Sequence, residues 1–258
     1  MPEVAQRIVP AIGRAFVAVY PLVLVIVVWE AVARAGLVRP LFLPPFSLVV
    51  KQLFVVVTNG ELFPPLATSL YRTAVGLLIA GVVGIPLGFL MVRSRLVSWF
   101  FEPLVALGNP APKLALIPVF TLWFGIDHVS KIMLVALTTV FPFILAAAQG
   151  ARSVPTSQVW AARAMGSTEL VILRRVVLPA SMPALMSGLR VAVPTALLTT
   201  FTAEMVAGGG LGGALVLAQR YFESTTVYAY LLVMLLCGYI LDVELLRIRH
   251  RVLRWHEG

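Results

Sequence analysis

Long apolar runs separated by short polar and basic connections organise this chain, and each run is about as long as a helix that crosses a bilayer. A hydrocarbon core of roughly 30 Å needs about 20 predominantly apolar residues in a helix. Six segments meet that length, approximately 15–33, 68–92, 99–124, 129–149, 184–207 and 226–246. Inside the second, Gly76, Ala80, Gly84 and Gly88 recur every four residues, which lines small side chains along one helix face. A neighbouring backbone can approach such a face closely. The third segment is different, because Pro110, Pro112 and Pro118 each remove a helix hydrogen bond. It is expected to be broken or bent and to line an internal cavity, since irregular backbone at membrane depth persists only where protein or water covers it.

The long polar connection, about 152–180, falls between the fourth and fifth runs and includes the stretch WAARAMGSTELVILRRVVLP. Pro155, Thr156 and Ser157 supply a helix start, and Val159, Ala162 and Met165 recur at near-helical spacing. A short amphipathic helix is therefore predicted to run to about Met165. Gly166 ends it, because glycine readily takes the left-handed conformation just past a helix terminus. Ser167 or Thr168 is expected to cap a second helix, with Leu170, Leu173 and Val177 on one face and Glu169, Arg174 and Arg175 projecting elsewhere. Leu178-Pro179 is expected to stop that helix. The pattern alone fits either a helix, glycine elbow and helix presenting a polar knuckle, or an amphipathic loop resting on lipid headgroups.

Composition agrees with a polytopic membrane protein: 60% of the 258 residues are hydrophobic and 12% are charged. Soluble domains are nearer one half apolar. Arg7 and Arg14 precede the first run, which reads as a retained span rather than a cleavable leader. The formal charge of +9 is distributed beside apolar segments, as in flanks that set topology rather than in a surface for nucleic acid. With six spans, Arg7, Arg14, Arg93, Arg95, Arg152, Arg163, Arg174, Arg175, Arg247, Arg249, Arg251 and Arg254 share one side, and the positive-inside rule then makes both termini cytoplasmic. Arg34, Arg39, Lys51, Arg72, Lys131 and Arg220 count toward the other side.

Several chemistries are excluded by what the residues lack. Cys237 has no partner for a disulfide, and His128, His250 and His256 share no metal-ligand spacing with it or with one another. No Gly-x4-Gly-Lys-Ser/Thr occurs, so the chain is not an ATPase subunit. The glycine run 208–213 lacks a following lysine and a preceding strand, and reads as a flexible turn where the fifth run exits. No acid–base cluster is found, so no catalytic residue is expected. Lys113, Arg190 and Glu204 are among the charges in or at the ends of spans, where ionisable groups are costly and often functional. Arg190 and Glu204 would stand about 21 Å apart on one helix and cannot pair with each other. Arg190 is expected at the cytoplasmic interface, Glu204 at an external gate, and Lys113 as a source of positive potential for an anion pathway.

Ala161-Ala162, three residues, Gly166, nine residues and Val176-x-Leu178-Pro179 resemble the EAA motif of ABC importer permeases, Glu-Ala-Ala-x3-Gly-x9-Ile-x-Leu-Pro. Trp160 stands where the motif has glutamate, and Val176 where it has isoleucine. Pro112 to Pro118, Leu122 to Ile126, Ser130 to Ile132, Phe141-Pro142, Gly188 to Arg190, Ala203 to Met205 and Gly210 to Gly212 look like the sulfonate, taurine and nitrate branch of that family.

The resemblance implies an all-α integral membrane protein of about six transmembrane helices with the type I ABC importer (MetI-like) permease fold. It implies one permease domain over 1–258, with a core at 66–246 and a cytoplasmic coupling loop at about 152–180. In that loop Trp160, Ala161, Ala162, Arg163, Met165, Gly166, Ser167, Leu178 and Pro179 would contact the ATPase. The implied partners are two cytoplasmic ATPase subunits, a second permease copy forming a homodimer, an extracytoplasmic substrate-binding protein and membrane lipid. ATP and Mg belong to the ATPase, with no cofactor on this chain, and the location is the bacterial cytoplasmic (inner) membrane. The implied substrate is a small polar or anionic solute such as a sulfonate, taurine or nitrate, with a pyrimidine vitamin precursor or aromatic acid as the alternative. The rival class is a secondary transporter that needs no ATPase; such proteins show intramembrane charges or inverted repeats.

Overall fold

Residues 20–253 are described by a computed structural model in which, among the described residues, every regular element is helical. The first expected span begins at residue 15, outside the described residues, and its described part is helical over 20–34 (α1). Helices α2 (Phe46–Thr58), α3 (Phe63–Arg93), α4 (Arg95–Gly108), α5 (Ile117–Phe124) and α6 (His128–Arg152) follow. The polar connection holds α7 (Thr156–Ala164), α8 (Glu169–Ile172) and α9 (Leu178–Ala180), after which come α10 (Met182–Ala207), α11 (Gly210–Arg220) and α12 (Ser224–Val252). Helices α3, α6, α10 and α12 are long and apolar enough to cross a membrane, and α4 with α5 makes a fifth span if the bent pair counts as one.

The chain divides into two compact units. The larger, Leu62–Val216 with the described residues from Val233 on, is organised around α3, α6 and α10. The small-residue stripe expected from the sequence is the reason α3 and α6 pack so closely. Gly76 faces Val135 and the Ile132 carbonyl, Gly84 the Val140 carbonyl, and Gly88 the Ile144 carbonyl and Ala147. The residue numbers rise together, so the two helices run parallel. Helix α10 runs the opposite way against α6, with Gly188 on Ala146, Thr199 Oγ1 donating to Thr138 Oγ1 at 3.3 Å, and Ala203 beside Leu134.

Between α3 and α6 the expected break falls at Asn109 to Pro112, and α4 turns into the segment ending in α5 by 91°. Ahead of α5, a tight turn over Lys113–Leu116 carries the chain, and Pro118 sits in the first turn of α5, where its missing N–H is no loss. Val105 on α4 packs with Met91 and Ile144, and Ile117 on α5 packs with Leu134 and Ala203. The bent pair therefore progresses from one end of the bundle toward the other. One end thus gathers Arg93, Arg152 and the α7 to α9 segment, and the opposite end gathers the starts of α3 and α6 with the finish of α10.

The smaller unit joins the described residues up to Glu61 with Leu217–Leu232. Trp29 organises it: its Nε1 donates to the Pro44 carbonyl at 2.9 Å, and its ring stands 5.4 Å from those of Phe46 and Tyr228. Helix α2, which the sequence reading did not anticipate, is tied in by Gln52 Nε2 donating to Thr226 Oγ1 at 3.2 Å.

Candidate functional site

At the arginine-bearing end of the larger unit, α7 begins at Thr156 as expected and closes on the glycine elbow. Gly166 N donates to the Arg163 carbonyl at 2.9 Å and Ser167 N to the Ala162 carbonyl at 3.1 Å, with Gly166 at φ +76°. That pair of bonds is the glycine-closed helix end in which the chain reverses within two residues. Nothing lies within 4 Å of where a Gly166 Cβ would be, so the backbone conformation and not space demands glycine. Gly166→Ala is expected to destabilise the elbow by about 1–2 kcal/mol; thermal unfolding of the solubilised chain measures it, and an unchanged midpoint would contradict the strain argument.

Three expectations for this loop need correction. Ala162 is buried, but Met165 is 78% exposed, and the face pointing into the bundle from α8 carries Ile172 rather than Leu170, which is exposed. The helices are too short for their apolar period to dominate, so a single residue each, Ala162 and Ile172, seats them. Neither Ser167 nor Thr168 makes a side-chain cap to α8. Leu178-Pro179 does not stop the chain: a widened, π-type turn over Leu173–Val177 passes directly into α9, with Pro179 in a first turn where proline needs no donor. Ser181 Oγ then donates to the Val177 carbonyl at 2.7 Å, and α10 begins at the next residue.

Glu169 fastens the loop to the bundle. Its carboxylate accepts from Arg163 Nε at 3.1 Å and lies 2.9 Å from the guanidinium of Arg93, the last residue of α3. All three side chains are roughly half exposed. Glu169→Gln is therefore expected to change unfolding stability by no more than about 1 kcal/mol, and high salt should mimic it; a larger loss in denaturant titrations would show that these pairs are better shielded. The outward surface of the loop is apolar in part, with Trp160 68% exposed and Met165 and Leu170 exposed as well.

The opposite end of the bundle holds Arg72, Lys131 and Glu204 on the expected side but buried. Arg72 and Lys131, counted from the sequence as outer-side flanks, are 4% and 2% exposed. Arg72 lies 2.8 Å from Glu204 Oε1 and donates from Nε to His128 Nδ1 at 3.2 Å. Glu204 Oε2 also accepts from Ser69 Oγ at 2.7 Å and from the Gly212 amide at 3.2 Å. Lys131 Nζ donates to the Ile126 and Asp127 carbonyls. The glycine run turns the chain where α10 ends, as expected: Gly208, Gly209 and Gly210 all have positive φ, and α11 already starts within the run.

Lys113 and Arg190 lie apart from this cluster. Lys113 Nζ donates to the Asn109 carbonyl at 2.6 Å and stands 4.8 Å from the Phe141 ring centroid, holding the bend after α4. Arg190 is paired with Asp242 of α12 at 3.2 Å. As expected from their spacing, Arg190 and Glu204 bond to other residues and not to each other. Among the described residues no group of three or more His, Cys, Asp or Glu is placed to hold a metal ion.

Residues 76–254 match the family model described as the binding-protein-dependent transport system inner membrane component, which reaches from the stripe on α3 beyond the end of α12. The chain belongs to this family. It is a multi-pass inner-membrane permease of an ABC importer, a non-catalytic subunit whose ATPase is a separate chain. A taurine transport system permease protein, TauC of Escherichia coli (strain K12), is 32% identical over 241 residues, covering 91% of this permease and 88% of that protein. The formylaminopyrimidine transport permease protein ThiX of Halalkalibacterium halodurans is 28% identical over 236 residues, covering 91% and 93%. In fold the permease is similar to a chain of the MetNI methionine ABC transporter, with a TM-score of 0.64 at 22% identity, over 72% of this chain and 93% of that one.

Proposed function

We propose that this permease works as a pair of identical chains that carry a small polar or anionic solute of the sulfonate type, taurine among the candidates, into the cytoplasm. Two ATPase subunits drive it, dock on the α7 to α8 knuckle, and hold all the ATP and Mg; the permease itself holds no cofactor. Its arginine-bearing end and both termini face the cytoplasm, as the positive-inside rule requires. The observation that carries the docking assignment is the knuckle itself: a rigid glycine-closed elbow exposing Trp160 and Met165 beside a charged anchor at Glu169. Trp160 replaces the motif glutamate with an aromatic side chain, the type that dominates protein interfaces when buried in a partner's groove. Movement of the docked knuckle passes through the widened turn and α9 into α10, which lies along α6.

The substrate class is supported by the taurine permease, similar over nearly the whole length. The pyrimidine-precursor reading has its own support in the similarly extensive ThiX match, at 28% identity. Retention of the ATPase during purification of the solubilised complex tests the docking reading. Wild type should retain it, and Trp160→Ala, Ala162→Glu and Gly166→Pro should lose it while the permease stays monodisperse. Equal retention by all four would refute the assignment. Uptake of labelled taurine, competed by formylaminopyrimidine, separates the two substrate readings.

A further inference from the structure

The run Gly208-Gly209-Gly210-Leu211-Gly212-Gly213 has an evident structural purpose in the geometry around Glu204. Three consecutive positive φ values turn the chain back immediately after α10, so that the start of α11 meets the carboxylate of the helix it has just left. The approach leaves no room for side chains. A Cβ on Gly210 would fall 2.0 Å from Glu204 Oε1, and one on Gly212 would fall 2.4 Å from the Phe201 carbonyl. Glu204 Oε2 takes the Gly212 amide at 3.2 Å, and Ser69 Oγ takes the Leu211 amide at 2.8 Å while donating to the same carboxylate.

We infer that Glu204, seated by Arg72 and Ser69, is a positioning residue that caps α11, so that α3, the finish of α10 and the first turn of α11 move as one body when α10 is driven from the knuckle. The carboxylate is fully buried, and both its oxygens are engaged by groups from α3 or α11. Opening it would strand a charge and the first amides of α11 without partners, whereas a negative group at a helix N-terminus is favoured by those amides and by the helix dipole. The pair is also directional. An arginine at position 204 cannot accept from amide donors, so exchanging the two charges would preserve an ion pair but not the cap.

The inference rests on the knuckle-to-α10 drive proposed above, and hydrogen exchange read by mass spectrometry separates the two. The permease and ATPase complex in lipid nanodiscs is compared nucleotide-free and trapped with ADP and vanadate, and the nucleotide-free comparison does not depend on docking. Exchange over 209–216 should be equally slow in both states of wild type. It should accelerate by about tenfold, the loss expected for a charge-assisted hydrogen bond, in Arg72→Glu/Glu204→Arg and in Arg72→Met/Glu204→Leu. Unchanged exchange over 132–140 of α6 verifies the fold in each, and the apolar double variant decides alone if the exchanged pair fails to fold. The inference is overturned if trapping deprotects 209–216 in wild type, which would make the cluster an opening gate. It is equally overturned if the exchanged pair restores protection, which would make it an ordinary ion pair.

Discussion

Arg72→Ala is expected to destabilise the permease by about 3–5 kcal/mol, because it removes one partner of a buried ion pair and leaves the other uncompensated. Of its hydrogen bonds Glu204 would keep those from the Ser69 hydroxyl and the Gly212 amide, in a site with no solvent exposure. Arg72→Met/Glu204→Leu should recover most of that loss, since apolar residues of similar volume remove the stranded charge along with the pair. Chemical unfolding of the purified chain in detergent, followed by tryptophan fluorescence, measures both. A loss below about 1 kcal/mol for Arg72→Ala would mean that water reaches the cluster and that the pair behaves like a surface one.

Gly88→Leu should be the more damaging of two substitutions on the same helix, and Gly81→Ala should be harmless. A Cβ at Gly88 would stand 2.4 Å from the Ile144 carbonyl oxygen and 2.7 Å from Ala147 Cβ. Backbone oxygen cannot rotate away as a side chain can, so α3 and α6 must separate. Overpacking of this kind costs about 1–3 kcal/mol or more, and here it bears on the pair of helices around which the larger unit is built. A Cβ at Gly81 meets nothing nearer than the Phe143 ring at 3.9 Å, and alanine in a helix interior is worth up to about 1 kcal/mol over glycine. Size-exclusion profiles and unfolding midpoints of the two variants give the comparison. Equal yields of monodisperse protein would show that α3 and α6 can repack around a large side chain.

Features written locally or periodically were legible without the structure. The four-residue recurrence of Gly76, Ala80, Gly84 and Gly88 names the α3 face that meets α6, and all four are buried there. Two prolines at Pro110 and Pro112 place the bend between α4 and α5, and Gly166 marks the end of α7 through its left-handed backbone. Motif order around that glycine pointed to the family that residues 76–254 match. Short elements were less legible. Pro179 reads as a stop in the sequence, yet the same missing donor suits the first turn of a new helix, and only the widened turn before it distinguishes the two.

By itself, then, the amino-acid sequence determined the spans from α3 onward, their break, the elbow and the class of machine, because each depends on residue spacing along one helix or on the conformational limits of glycine and proline. The tertiary structure alone decided that Arg72 meets Glu204, 132 positions away, and that Lys131 is interior rather than a flank. That pairing is a consequence of register. Where α3 and α10 stand relative to each other follows from how the glycines of α3 and Gly188 of α10 seat against α6, a sum over many close contacts that no single stretch of sequence contains.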